Sequence, residues 1–195
     1  MTLENIIPRW EWRTFGESFG KADQQFAATG AAQESDELYF LSPANNQNVK
    51  VRDMLMDIKT LQQVNPDGLE QWKPVMKGSF PLPAVEVTKV FDLLGVVPPP
   101  LSRANYTLQE FIDELAEPGA RLRAVKVHKS RARATIDGCT AEMTEIVADG
   151  KWTRTVALES EDPDRVIATV RKLGLDRFEN TSYPRGLKQL VGTKS

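Results

Sequence analysis

Two stretches of this chain carry an ionic side chain at every second residue. Arg9, Glu11 and Arg13 alternate with Trp10 and Trp12, and Lys129, Arg131 and Arg133 alternate with Ser130, Ala132 and Ala134. A period of two is strand spacing, so each stretch has one charged face. Lys50 and Arg52 share one parity, while Asp57 and Lys59 share the other. The acids that could stand among these cations are Glu11, Glu142, Glu145 and Glu159. Arg and Lys donate charge-assisted hydrogen bonds to phosphate oxygens. Carboxylates hold a hard divalent cation, Mg²⁺ or Mn²⁺, through oxygen. If the sheet closes into a barrel with the charged faces inward, the lumen suits a polyanion. Metal and cations together would stabilise an in-line displacement at phosphorus. The plain alternative is a set of solvated outer faces whose ion pairs contribute little.

Composition removes other chemistries. The 195 residues hold one histidine, His128, and one cysteine, Cys139, so a multi-His site, a Cys-based zinc cage and an internal disulfide are all excluded. With 41% apolar and 27% charged residues and a net charge of −2, the chain has the balance of a soluble globular protein. It has no run of 18 uncharged apolar residues and no secretory leader pattern, so we expect no membrane partner and a cytoplasmic location. Arg121, Arg123, Lys126, Lys129, Arg131 and Arg133 fall in a segment without acids, which could track nucleic acid. No recognition helix or aromatic RNA-binding motif accompanies it, and nucleic acid is disfavoured. Trp10, Trp12, Trp72 and Trp152 read as core anchors, and His128 reads as a structural or surface residue. Ser182 and Tyr183 read as packing for the tail.

The elements that must position these side chains are mostly strands. Strands are expected over 9–15, 37–41, 48–61 (with a bulge or tight turn near Asp53), 69–80, 121–136, 139–148 and 151–159. The Asp-Gly pairs at 137–138 and 149–150 predict two successive hairpins. Helices are expected within 16–33, over 83–95, over 108–116 behind a Thr107/Glu110 capping box, and from Asp162 to Gly174. The tail FENTSYPRGLKQLVGTKS reads as a short docked segment with a frayed end. This order predicts an α+β fold, an antiparallel β-barrel or tunnel with flanking helices. One domain spans 1–195, with halves 1–97 and 101–195 joined by the Pro98–Pro100 connection.

These residues resemble the CYTH family, the triphosphate tunnel metalloenzymes, over nearly the whole chain. The family's first-strand motif, E-x-E-x-K, is matched by Arg9-Trp10-Glu11-Trp12-Arg13, with Arg9 where the family has its first Glu. Its basic strand pairs resemble Val49-Lys50-Val51-Arg52 and Asp57-Ile58-Lys59. Its later strands resemble 121–136, Glu142 in CTAEMTE and Glu159 in VALESED. The closing helix and the Ser-Tyr element resemble 162–174 and Ser182-Tyr183. The resemblance implies a closed tunnel that binds a triphosphate-containing small molecule or polyphosphate with Mg²⁺ or Mn²⁺. Glu11, Glu142 and Glu159 would be metal ligands, with Glu11 the catalytic position. Arg13, Lys50, Arg52, Lys59, Lys129, Arg131 and Arg133 would hold phosphate. Two readings follow: a metal-dependent triphosphate hydrolase, or a catalytically degenerate polyanion-binding module on the same fold. Arg9 bears on the choice, because a cation beside Glu11 repels a divalent metal.

Overall fold

Three two-residue turns set the strand order. Asp137-Gly138 and Asp149-Gly150 both have φ > 0, which is the backbone twist a tight hairpin requires. Asp53 and Met54 do the same at φ 50° and 60° without a glycine. That turn is the expected break near Asp53, and it sets the parity of Lys50 and Arg52 against that of Asp57 and Lys59.

The computed structural model describes residues 6–27, 32–117, 119 and 121–192. Its strands are β1 (Arg9–Gly16), β2 (Gln33–Leu41), β3 (Asn48–Arg52), β4 (Leu55–Val64), β5 (Glu70–Ser79), β6 (Leu82–Pro83), β7 (Asn105–Tyr106), β8 (Arg123–Ile136), β9 (Cys139–Ala148) and β10 (Lys151–Ser160). Eight of them close an antiparallel barrel in the order β1-β10-β9-β8-β2-β3-β4-β5. The two-residue strands β6 and β7 pair separately across the Pro98–Pro100 connection.

The helices are α1 (Lys21–Ala27), α2 (Ala84–Leu94), α3 (Leu108–Glu110, continued by π-helical Phe111–Ala116), α4 (Pro163–Leu173) and α5 (Tyr183–Val191). The Thr107/Glu110 capping box forms at the start of α3. Asp162 caps α4, accepting from the backbone N–H groups of Asp164 and Arg165. The helix expected within 16–33 is α1; the part of that range at 28–31 lies outside the described residues.

Alternation along the strands divides the apolar residues into three cores. Trp10 and Trp12 of β1 and Val156 and Leu158 of β10 pack outside the barrel against α1 and α4. Phe40, Val49, Met56 and Ile58 pack outside it on α2 and α3. The third core lies inside. Tyr39, Leu41, Val125, Val127, Ile146 and Ala148 share the parity of the charged residues, and they pack on Tyr183, Leu187 and Val191 of α5. The barrel is thus apolar and plugged at one end, and ionic at the other.

One expectation is sharpened and one is corrected. The tail docks as expected, as a nine-residue helix seated in the barrel, and its last residues, 193–195, lie outside the described residues. Trp152 is 48% exposed on the outer wall and anchors no core, whereas Trp10, Trp12 and Trp72 are buried.

The seating of α5 depends on Gly186, because a Cβ there would overlap the Phe15 ring. Lys188 adds bonds from its Nζ to the Asn45 carbonyl (2.9 Å) and the Asn46 side chain (2.7 Å). We predict that Gly186→Ala costs about 1–3 kcal/mol, the usual range for overpacking. Chemical denaturation checks this, and α5 amides should lose hydrogen-exchange protection before those of β8 and β9.

Candidate functional site

The ionic end encloses a cavity of about 220 Å³. Glu11 and Arg13 reach it from β1, Lys50 and Arg52 from β3, and Lys59 from β4. Lys129, Arg131 and Arg133 come from β8, Glu142 from β9 and Glu159 from β10. All ten site residues expected from the sequence therefore line one bore. The reason is geometric: period-two charge becomes convergent once the sheet closes on itself. Tyr39, Asn48, Asp57 and Tyr183 complete the wall.

The organising group is one that sequence reasoning missed. Glu37 of β2 has a fully buried side chain and sits among four cations. Its carboxylate oxygens lie 2.7 Å from Lys129 Nζ and 3.0 Å from Arg131 Nη2, with Lys50 at 3.4 Å and Arg52 at 3.7 Å. The Tyr39 hydroxyl donates to it at 2.8 Å. Burial pushes this carboxyl up, but Lys129 and Lys50 outweigh burial and hold it well below the usual carboxylate range. Burial brings Lys129 down to about 7 despite the opposing pull of Glu37. Lys129 also accepts no relief from solvent, being 3% exposed, and its Nζ donates to Tyr39 Oη at 2.7 Å. Burial lowers Lys50 too.

Tyr183 of α5 forms the floor of the bore. Lys129 Nζ lies 4.2 Å from its ring centroid and the Arg13 guanidinium 5.0 Å. Tyr39 stacks on it at 4.9 Å. Tyr183 is therefore part of the cavity wall as well as a packing residue for the tail.

The acids are shared out among arginines. Glu11 Oε1 accepts from Arg13 Nε at 2.8 Å. Glu142 lies 3.3 Å from Arg131 and 3.8 Å from both Arg13 and Arg133. Glu159 is 3.6 Å from Arg9. Burial pushes Glu142 up, and Arg13 and Arg131 bring it below the usual range. Burial likewise opposes the charge on Arg13, yet Glu11 and Glu142 raise its affinity for the proton overall. Glu11 also faces Glu159 on β10 and Glu70 on β5. Burial first, and Glu11 as well, push the Glu70 carboxyl up.

This donor set does not fit a divalent metal as arranged. Mg²⁺ needs several oxygen ligands in near-octahedral array. Among the described residues no three or more His, Cys, Asp or Glu side chains come together so as to hold a metal ion. Guanidinium groups occupy the carboxylates that would do so.

Sequence signals existed for part of what was missed. Glu37 and Tyr39 alternate with Leu38 and Phe40, but nothing in the chain says that β2 pairs with β8 and so brings Glu37 beside Lys129. Tyr183 stands out in the sequence within the Ser182-Tyr183 element, but only as packing for the tail. His128 is a surface residue, with ring nitrogens 2.9 Å from Asp36 and 3.0 Å from Glu34. Its groove, about 890 Å³ and largely apolar, adjoins the bore, with Glu37 and Arg52 between the two.

No family model matches the chain, and no curated protein does either. Solved structures do. A Bacillus halodurans protein, bh2851, provisionally described as an adenylate cyclase, superposes with a TM-score of 0.52 at 12% identity, over 94% of this chain and 98% of that one. This is a triphosphate-tunnel fold. Two further solved structures match at lower similarity. The Hippeastrum protein HpAC1, described as having a dominant triphosphatase activity, matches with a TM-score of 0.47 at 13% identity, over 94% and 96% of the two chains. A conserved hypothetical protein from Pyrococcus furiosus matches with a TM-score of 0.47 at 11% identity, over 89% and 98%. Among the described residues of the tunnel and its helices, no helix is long and apolar enough to cross a membrane.

Proposed function

We propose that the tunnel binds the triphosphate group of a small molecule, or the end of a polyphosphate chain. The observation that carries this reading is the convergence of seven basic side chains from four strands on one cavity of about 220 Å³. Four acids line the same cavity, and Glu37 lies beneath them, so the cations exceed the acids by two. Arg13, Arg131 and Arg133 offer forked donors that match phosphate oxygens, while Lys50, Lys59 and Lys129 act as point charges. Because α5 fills the other end, a linear anion enters end-first. Its leading phosphoryl group meets Lys129 and Arg131, and the following ones meet Arg133, Arg52 and Lys59 nearer the mouth. A nucleic-acid duplex is too wide for this bore.

Calorimetric titration with tripolyphosphate tests the proposal. We expect saturable binding that weakens as salt is raised, because buried cations exchange one set of counter-ions for another. Neither heat nor a thermal shift with tripolyphosphate would remove the reading.

A second reading, hydrolysis of the bound phosphoanhydride, is favoured by one observation. Lys129 titrates near neutrality and is hydrogen-bonded to a tyrosine, so it is suited to exchange a proton at the working pH. Release of orthophosphate from tripolyphosphate or ATP separates this activity from binding alone.

A further inference from the structure

We infer that Arg9 stands in for a metal ion at the tunnel mouth, so that the tunnel takes its anion without a divalent cation. The inference deepens the proposed function and rests on it. Arg9 begins β1 and shares the inward parity of Glu11 and Arg13. Its side chain is 48% exposed at the rim, and one Nη lies 3.6 Å from Glu159. At that distance the guanidinium neutralises the carboxylate while most of its five donors stay open to a ligand. The pattern repeats deeper in the bore, where Arg13 serves Glu11 and Arg131 serves Glu142. Three of the four acids that line the cavity, Glu11, Glu142 and Glu159, thus face an arginine.

The physical consequence is a reversal of the role of Mg²⁺. Where carboxylates face an anion, a divalent ion must bridge them. Here fixed cations already bridge them, and a metal approaching Glu11 or Glu159 meets the charge of Arg9 and Arg13. Mg²⁺ bound to tripolyphosphate in solution also removes charge from the ligand. It should therefore weaken association with a cation-rich wall.

The test is titration of the full chain with tripolyphosphate in EDTA and in excess Mg²⁺, for the wild type and for Arg9→Glu. We expect the wild type to bind at least as tightly in EDTA as in Mg²⁺. Arg9→Glu should lose about tenfold or more in EDTA and recover when Mg²⁺ or Mn²⁺ is added. Paramagnetic broadening by Mn²⁺ gives a readout independent of the anion: absent at the wild-type mouth, present in Arg9→Glu. Wild-type binding that is tenfold or more tighter in Mg²⁺ than in EDTA overturns the inference and leaves the proposed function standing. Unchanged affinity of Arg9→Glu in EDTA does the same. Absence of binding in both buffers overturns the proposed function, and the inference with it.

Discussion

Lys129→Met leaves the protein as stable as the wild type, or up to about 2 kcal/mol more stable, while tripolyphosphate affinity falls about ten- to hundredfold. Both effects come from the same burial. The ammonium of Lys129 is sealed from water, and burial is what brings its pKa down to about 7. An apolar side chain of similar volume removes that desolvation cost, and this offsets the usual penalty for taking one partner from a buried ionic set, because Glu37 is not left alone. Glu37 still keeps Arg131, Lys50, Arg52 and the Tyr39 hydroxyl. The ligand loses a charge-assisted hydrogen bond of roughly 1.5–3 kcal/mol. Urea denaturation and calorimetry measure the two quantities separately.

The pH dependence has a definite sign. The folded-state pKa of Lys129 lies below its ordinary value of 10.5, so between about pH 7 and that value the unfolded chain holds a proton that the folded chain lacks. This group's contribution to stability therefore rises with pH across the window. Anion affinity moves the other way. It is greatest below pH 7 and falls above it, by up to about tenfold per pH unit. The Lys129→Met variant should show neither trend. A variant that binds with wild-type affinity and keeps the wild-type pH profile would show that this lysine does not meet the ligand.

Glu37→Ala is expected to have the opposite character. Four cations lose the one carboxylate they share, and stability in phosphate-free buffer should drop by about 3–5 kcal/mol, the usual result of stripping one partner from a buried ionic set. Tripolyphosphate should restore much of it. A ligand at about one hundred times its dissociation constant returns about 2.7 kcal/mol through mass action. The variant should also lose part of its acid sensitivity. The Glu37 carboxyl is depressed in the folded state, so its stabilisation is complete above the ordinary carboxylate range and is lost as pH falls through the lowered value. Thermal melts with and without tripolyphosphate, repeated along a descending pH series, check all three outcomes. An equal loss of stability with and without the anion would mean that Glu37 supports the wall rather than balancing the charge of the bore.

Much of this arrangement was legible beforehand for a simple reason. Period two marks faces without any knowledge of pairing, so Arg9, Glu11, Arg13, Lys129, Arg131 and Arg133 declared a common side. The Asp-Gly turns ordered β8, β9 and β10. What stayed hidden depended on which strands meet. Glu37 is unremarkable within ELYFL until β8 lies beside it. Trp152 looked like a core residue because size alone does not say which outer wall a helix covers. Helix α5 was concealed by its own composition. Pro184 and Gly186 both disfavour a helix locally. Proline is tolerated near the helix start, and glycine is the residue that lets Phe15 approach. Tertiary contact there overrides local preference.

The ring of strands is also uneven in a way that matters for how it yields. Nine or ten facing residues join β8 to β2 and to β9, whereas β1 and β5 meet over three (Arg9 with Trp72, Trp10 with Gln71 and Glu11 with Glu70) and β2 and β3 over two (Leu38 with Val51 and Tyr39 with Lys50). Two carboxyl groups, Glu11 and Glu70, oppose each other at the seam between β1 and β5, and burial pushes the Glu70 carboxyl toward its neutral form. The cylinder's compliance is therefore concentrated along these two lines, which divide the β3-β4-β5 group from the other five strands, and a guest bulkier than the resting bore would be admitted by parting them rather than by stretching the whole wall.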